Sequence, residues 1–286
     1  MPHTRAALTY ASDEHSLPLR LAILAIERLS GSRKLEKVYH RVLDAVDTGA
    51  PFWGAALKEL GCLPVFDEAQ LRKIPTDAPV IFIANHPFGF LDGLTLCHLA
   101  QTTKGSFKIF INIALCREPR LNEYMLPVDF AEDSTAKHTN GQSARRALRL
   151  LSKNGTLVLF PAGGISTAPG FLKPATDLEC NPFIADLARI SKATTVPVYF
   201  HGQNSRIFQC VSILSMKMRL ALIIREVRRH MGKPLKHRIG DPLPPGKHDQ
   251  FPCRHTLTSH LRSHTYSLSQ IPSGSASVPV KPTLSN

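Results

Sequence analysis

Residues 80–92 read VIFIANHPFGFLD and contain the pattern that decides the fold. A short apolar run leads straight into Asn85, His86 and Pro87, which predicts a buried strand that stops at a turn. Asp92 and a second apolar stretch follow, which predicts a helix. Ligands of open α/β sheets bind at the carboxyl ends of strands, so the His86 imidazole and the Asp92 carboxylate are placed where chemistry is expected.

The rest of the chain repeats this alternation of apolar runs and amphipathic stretches. Further strands are predicted at 107–112, 155–161, 195–202 and 237–241, and helices at 92–103, 141–153, 181–192 and 217–231. Continuous apolar strands that alternate with helices are typical of a sheet covered on both faces. The predicted fold class is therefore α/β, with a mostly parallel central sheet flanked by helices.

The segment before the sheet predicts two helices within residues 16–48. The first is dense in apolar residues, and the second carries basic residues beside its apolar face. The pair is predicted to form a helical hairpin, which either packs on the core or lies in a membrane interface. A single domain is expected over 16–266. Residues 1–15 are expected to be poorly ordered, and 267–286, rich in Ser and Pro, to form a disordered tail.

The chain of 286 residues is basic, with a formal net charge of +13. Residues 201–286 hold 13 Lys and Arg against 3 Asp and Glu, so +10 of this charge lies in the last third. Such a field favours a polyanionic partner, and an aromatic content of only 7% favours an anionic membrane surface over nucleic acid. No secretory signal, spanning stretch or C-x-x-C pair is evident. The expected location is cytoplasmic, peripheral at the inner face of the membrane.

The spacing of His86 and Asp92 admits two interpretations. On one continuous helix, residues six positions apart do not share a face, so only the intervening turn can bring them together. A carboxylate that orients an imidazole makes a general base. The alternative is structural: Asp92 caps the helix as its N-cap residue, and His86 is an ordinary loop residue.

Two later motifs favour the catalytic interpretation. FPAGGIST at 160–167 and VPVYFHGQNSRIF at 196–208 follow NHPFGFLD in this order. Together the three motifs resemble the glycerolipid and lysophospholipid acyltransferase superfamily, and within it the branch of haemolysin-labelled and ornithine-lipid acyltransferase-like proteins. The resemblance covers residues 17–245.

The resemblance implies a reaction and a set of site residues. It implies that His86 is the general base for an acceptor hydroxyl or amine and that Asp92 orients it. It also implies an acyl thioester of coenzyme A or acyl carrier protein as co-substrate, a lipid acceptor, and no cofactor or metal. Backbone N–H groups near Gly163, Gly164 or Gly89 are candidate oxyanion donors. The residues expected to shape the site are Asn85, Pro87, Gly89 and Pro161.

The third motif departs from the Phe-Pro-Glu-Gly-Thr-Arg-Ser that is widespread in the superfamily. Its Glu position is Ala162, and its Arg position, the usual phosphate ligand, is Ile165. The departure favours an aminolipid or amino-acid headgroup, or a phosphate held by other basic residues. The candidate acceptor-binding residues are Arg117, Arg120, Gly163, Gly164, Ser166 and Arg206, and each arginine is alternatively a solvated surface residue.

Two rival functions follow from the same residues. Gly164 to Ala168 form a G-x-S-x-A pattern, which suggests a serine hydrolase with Ser166 as nucleophile, but Pro169 and Gly170 argue against the helix that should follow. The altered third motif is also compatible with a non-catalytic, peripheral lipid-binding protein of the same fold. The Cys and His residues at 253–264 lack the second Cys of a zinc finger, so no metal site is expected there.

Overall fold

A computed structural model describes residues 17, 20, 21, 23, 25, 28, 30–116, 118–170, 173–214 and 216–270. The helices with assigned bounds in this part of the chain are α1 (Ser32–Asp47), α2 (Phe52–Glu59), α3 (Glu68–Leu71), α4 (Phe90–Lys104), α5 (Ser134–Leu151), α6 (Phe183–Ser191), α7 (Arg206–Leu214), α8 (Met216–His230), α9 (Pro245–His248) and α10 (Arg254–Ser267). The strands are β1 (Val80–Ala84), β2 (Phe107–Asn112), β3 (Met125–Val128), β4 (Thr156–Leu159), β5 (Thr194–Phe200) and β6 (His237–Ile239). Short 3-10 helices span Ile113–Leu115, Pro119–Leu121 and Leu268–Gln270.

The strands form one sheet in the order β3-β2-β4-β1-β5-β6, in which only β6 runs antiparallel to its neighbour. Strand β1 lies near the centre, with Val80 opposite Thr156 of β4 and Thr194 of β5. The parallel strands therefore end together at one edge, which we call the carboxyl edge. The predicted α/β class with a mostly parallel sheet is confirmed.

Strand β1 is central because its sequence is apolar on both faces, and all five of its residues are buried. Phe82 points into a core with Trp53 and Leu94 on one side of the sheet. Ile81 and Ile83 point into a second core on the other side. Truncation of a fully buried ring such as Phe82 to alanine typically lowers the free energy of unfolding by about 3–5 kcal/mol. Packing on both faces of the sheet therefore holds β1 in place.

The element boundaries differ from the predicted ones where local signals are weak. Strand β3 was missed because it has only four residues and includes Pro127, which a strand tolerates mainly at a sheet edge. Helix α5 begins at Ser134 rather than 141, because the Asp133 carboxylate accepts the Ala136 N–H at 2.7 Å and caps the helix there. Helix α7, which follows β5, was also missed.

The two ends of the chain are only partly described. The second predicted N-terminal helix is present as α1, whereas most of the first lies outside the described residues, as does 1–15. The prediction of a disordered tail from residue 267 was wrong at its start. Helix α10 runs to Ser267, and Leu268 is buried in the turn that follows, so packing extends the domain to Gln270. Residues 271–286 lie outside the described part. None of the described helices is long and apolar enough to cross a bilayer.

Candidate active site

His86 and Asp92 meet in the turn between β1 and α4. The His86 Nδ1 atom lies 3.2 Å from Asp92 Oδ2. The same oxygen accepts the N–H groups of Phe88 at 2.8 Å and Gly89 at 2.9 Å. The N-cap residue is Gly89, so the alternative that Asp92 is the N-cap was wrong: Asp92 occupies the third position of α4 and reaches back to the cap. The carboxylate contacts the imidazole and closes the helix end at once.

The Asp92 carboxylate is fully buried. Burial raises the pKa of Asp92 above its ordinary value, while the His86 hydrogen bond and the two N–H groups oppose that rise. Within the described part of the chain, Oδ1 has no hydrogen-bond partner, so Oδ2 makes all the polar contacts. The charge of this buried group therefore depends on the imidazole beside it.

The His86 ring is held on a second side and remains 17% exposed. It stacks on Phe160, with ring centroids 3.8 Å apart and planes at 24°. The preceding Asn85 is buried and uses its amide like a strand residue, since Nδ2 donates to Phe200 O at 2.9 Å and Oδ1 accepts Phe200 N–H at 2.7 Å. These bonds tie the end of β1 to the end of β5 and leave the imidazole at the carboxyl edge.

The third-motif loop is hydrogen-bonded to the main chain of His86. The Ser166 N–H donates to His86 O at 2.8 Å, and the Ser166 hydroxyl donates to Asp177 Oδ1. The same Asp177 oxygen accepts the His86 N–H at 3.1 Å. Sequence reasoning missed Asp177, because an Asp in an irregular loop outside the quoted motifs carries no periodic or spacing signal.

A buried arginine supports this loop from behind. The Arg219 guanidinium donates to Ile165 O at 2.9 Å and to Thr167 Oγ1 at 3.2 Å. Gln209 accepts the Ala168 N–H at 3.0 Å. Burial lowers the pKa of Arg219 from its ordinary value. Sequence reasoning missed both Arg219 and Gln209. For Arg219 the sequence does contain a signal, an Arg within the apolar stretch of α8.

The three glycines proposed to donate to an oxyanion differ in their hydrogen bonds. The Gly163 N–H donates to Phe160 O at 2.9 Å, and the Gly89 N–H is bound by Asp92. The Gly164 N–H has no acceptor within the described part of the chain. A Cβ atom at Gly164 would meet open space, and among the three glycines this is the one whose N–H is left without a protein acceptor in the described residues.

Ile165 fills the space beside the His–Asp turn. Its side chain is 7% exposed. A Cβ atom built on Gly89 would lie 2.5 Å from Ile165 Cδ1, and Gly89 has φ +74°, a region that side chains rarely adopt. Ile165, which stands at the Arg position of the third motif, therefore packs against Gly89, and a larger residue than glycine would not fit there. Pro161 lies in the same loop, where its carbonyl accepts the Asn181 N–H at 2.9 Å.

The candidate arginines are not brought to His86 in the described structure. Arg117 lies outside the described residues. Arg120 pairs with Asp47 at 3.1 Å on the surface, and Arg206 is exposed at the first position of α7. The described structure does not show either side chain in contact with the imidazole, so an acceptor role for them stays a prediction.

The position of Ser166 contradicts the serine-hydrolase reading. The residue is 2% exposed, its hydroxyl is bound by Asp177, and it contacts the main chain of His86 rather than the ring. The following residues form no helix, so the strand-to-helix turn of a nucleophile elbow is missing. The Ser166 hydroxyl is a contact within the loop, and an acceptor role for this residue stays a prediction. Among the described residues, no three His, Cys, Asp or Glu side chains are grouped so as to hold a metal ion.

Exposed apolar side chains surround the carboxyl edge. Each member of this set follows the end of a parallel strand, β1, β2, β3 or β5, and is 38–61% exposed. We call the set the apolar rim; it consists of Phe90, Ile113, Leu115, Phe130 and Ile207. Because β2 and β3 lie on one side of β1 and β5 lies on the other, the rim extends on both sides of His86.

Comparison with known proteins gives four similarities: one to a family model, two to curated proteins and one to a crystal structure. A family model described as "Acyltransferase" matches residues 52–270. The lyso-glycine lipid O-acyltransferase of Phocaeicola vulgatus is 23% identical over 185 residues, 61% of this chain and 62% of that protein. Its counterpart of the same name from Bacteroides thetaiotaomicron is 24% identical over 186 residues, 61% of this chain and 64% of that protein. The chain thus spans less than two thirds of the length of these curated relatives.

The crystal structure of the 1-acyl-sn-glycerophosphate acyltransferase PlsC from Thermotoga maritima aligns over 88% of this chain and 97% of its own, with a TM-score of 0.46 and 14% identity.

Proposed function

The chain belongs to the acyltransferase family whose model matches residues 52–270, and we propose that it moves a fatty acyl chain from a thioester of coenzyme A or acyl carrier protein to the hydroxyl of a lyso-lipid with an amino-acid headgroup. The observation that carries the proposal is the contact of 3.2 Å between His86 Nδ1 and the buried Asp92 carboxylate. An imidazole that donates Nδ1–H to a carboxylate has a free electron pair on Nε2, which is the requirement for a general base.

The transfer is balanced without another reactant. The acceptor oxygen attacks the thioester carbonyl carbon while its proton passes to His86 Nε2, and Asp92 stabilises the imidazolium. The tetrahedral intermediate then breaks the C–S bond, and the proton moves from Nε2 to the departing sulfur. An ester and a free thiol result. The Gly164 N–H, which has no acceptor in the described part of the chain, is the proposed donor to the oxyanion.

The nature of the third motif supports an acceptor without a phosphate at this position. Ile165 is aliphatic, buried and packed towards Gly89, so it offers no charge to a phosphate. The two relatives bear the name lyso-glycine lipid O-acyltransferase, which names an amino-acid lipid and the transfer of an acyl group to oxygen. We therefore favour O-acylation over N-acylation for this chain.

A peripheral position on the inner face of the membrane is part of the proposal. The apolar rim presents Phe90 and Phe130, both at least half exposed, beside His86. The exposed Arg206 precedes Ile207 of the same rim, and the chain as a whole carries +13. Apolar side chains flanked by basic ones bind anionic bilayers, which would bring the site to an acceptor already embedded in lipid.

The experiment that tests the function offers the purified protein a choice of substrates in vesicles of phosphatidylglycerol and phosphatidylcholine. Palmitoyl-CoA and palmitoyl-acyl carrier protein are supplied as donors, and lyso-glycine lipid, lyso-ornithine lipid and lysophosphatidate as acceptors. Mass spectrometry of the products should show an ester of an amino-acid lyso-lipid, formed several times faster than phosphatidate. Thioester hydrolysis without an ester product would contradict the proposal. Vesicle binding without thioester consumption would instead establish the lipid-binding alternative.

A further inference from the structure

Asp177 makes a contact that the proposed reaction does not explain. Its Oδ1 atom accepts two donors at once, the His86 main-chain N–H at 3.1 Å and the Ser166 hydroxyl. Ser166 in turn donates its own N–H to His86 O at 2.8 Å. The two main-chain polar groups of His86 are therefore both held by residues of the 160–177 segment, in addition to the contacts of its ring.

Asp177 is itself fixed by the last helix. The Asp177 main-chain N–H donates to the Tyr266 hydroxyl oxygen at 2.9 Å. Arg262 donates to Asp177 O at 2.9 Å, and its guanidinium lies 4.7 Å from the centre of the Tyr266 ring. Burial, together with the Asp177 charge, raises the pKa of Tyr266 to about 12, so the phenol stays neutral. Helix α10 thus anchors Asp177 through its main chain and leaves the carboxylate for His86 and Ser166.

We infer that Asp177 is a positioning residue for acyl transfer: its carboxylate holds the His86 peptide and the third-motif loop in one arrangement. The inference rests on the proposed function, since it assigns Asp177 a part in the same site. Asp177 acts through His86, because its contact is with the main chain and not with the imidazole or a substrate. A shift of the base by about 1 Å relative to its substrate can cost about 10²-fold in rate, so a hold at the peptide has catalytic consequences.

The geometry also explains why one carboxylate oxygen serves two elements. His86 follows β1, whereas Ser166 lies in the loop after β4, the neighbouring strand. A shared acceptor fixes the distance between these two loops, and with it the distance from the imidazole to Gly164. The side chain of Asp177, which is 7% exposed, then sets the positions of both the base and the proposed oxyanion donor.

The test compares Asp177→Ala and Asp177→Asn in the wild-type chain and in a His86→Gln background. We expect Asp177→Ala to lower kcat by about 10²-fold while the KM for the thioester changes little. Asp177→Asn should recover most of the rate, because its amide oxygen can accept the same two donors. In the His86→Gln background, where no base remains to be positioned, Asp177→Ala should cost less than about twofold more. Asp177→Ser replaces the alanine variant if the latter does not fold.

Asp186→Ala is the matched control, since that carboxylate pairs with Arg254 at 3.0 Å on the surface and is expected to leave kcat unchanged. Equal losses from Asp177→Ala in both backgrounds would overturn the inference, because a loss of folded protein multiplies any background by the same factor. Full activity of Asp177→Ala would overturn it as well. Failure of the proposed function is distinct, because the wild-type chain would then form no ester in the same assay.

Discussion

His86 Nδ1 lies 3.2 Å from Asp92 Oδ2, and this oxygen also accepts the N–H groups of Phe88 and Gly89. One buried atom therefore orients the imidazole and closes the first turn of α4. Asparagine separates the charge of this group from its hydrogen bonds, because the amide oxygen can take the place of Oδ2 and accept the same N–H groups while it carries no negative charge.

Asp92→Asn is predicted to lower kcat by about 10²–10⁴-fold while the chain stays folded. The amide oxygen can accept from Phe88, Gly89 and the ring Nδ1–H in place of Oδ2. It carries no charge, so it does not stabilise the imidazolium that forms when Nε2 takes a proton. Steady-state kinetics and far-ultraviolet circular dichroism measure the two effects. Retention of the full rate would show that Asp92 serves only the helix.

The same variant is predicted to change how stability depends on pH. Because the pKa of Asp92 is raised in the folded state, folding favours the protonated carboxyl. Its contribution to stability is full below the ordinary pKa of 3.8 and is lost as the pH rises through the raised value. Urea unfolding at a series of pH values should show Asp92→Asn gaining stability relative to the wild type from pH 3.8 upward. A pH-independent difference would contradict the raised pKa.

The buried His248 is predicted to lower the stability of the fold as the pH falls, the opposite direction to Asp92. Burial lowers the pKa of His248 below 6.5, and its Nε2 lies 3.0 Å from Thr195 Oγ1. The folded state favours the neutral ring, so its contribution to stability is present above pH 6.5 and is lost as the pH falls below it. His248→Gln should therefore flatten part of the decline in Tm between about pH 7 and 5. An unchanged pH slope would refute this.

Gly89→Ala is predicted to destabilise the fold by at least about 1–2 kcal/mol. The substitution places a Cβ atom 2.5 Å from Ile165 Cδ1 and forces an alanine into φ +74°. Gly93→Ala in α4 is the control, since its Cβ would meet open space within a helix, and it should stabilise by up to about 1 kcal/mol. Equal Tm shifts for the two variants would show that the Ile165 contact and the backbone angle have no effect.

Ile165→Arg tests the proposed acceptor preference. A guanidinium at this position supplies the charge that a phosphate needs, and it disturbs the aliphatic contact with Gly89. The ratio of phosphatidate to amino-acid lipid product, measured in one mixture, should rise several-fold, because specificity is a ratio of competing rates. Ile165→Val keeps the aliphatic character and should leave the ratio as it is. An unchanged ratio in the arginine variant would place the headgroup elsewhere.

Removal of the apolar rim is predicted to weaken membrane binding. The double variant Phe90→Ser, Phe130→Ser should sediment less with anionic vesicles, since each buried ring contributes about 1.5–3 kcal/mol. Ile190→Ser is the control, because Ile190 is 68% exposed at the end of α6, before β5 begins and so away from the carboxyl edge. Equal sedimentation of all three proteins would exclude the rim as the contact surface.

The sequence predicted the strand, the turn and the pairing of His86 with Asp92, because VIFIANHPFGFLD carries all three within thirteen residues. It did not predict Asp177 or Arg219, which reach the site from segments 91 and 133 positions after His86 through contacts that only the folded sheet creates. It rightly disfavoured a nucleophile elbow at Ser166 from Pro169 and Gly170, but it did not predict the contacts of Ser166 with His86 and Asp177. Short-range patterns encode turns and caps, whereas the supports of a site depend on which strands become neighbours.

The most direct test of the central claim is single-turnover acyl transfer by His86→Gln, with the acceptor that the wild-type chain uses best. Glutamine keeps the polarity of the side chain but cannot act as a base, so the rate of ester formation should fall by about 10²–10⁴-fold while the Tm stays close to that of the wild type. Ester formation at the wild-type rate would contradict the account, because the base would then have to be a group other than His86.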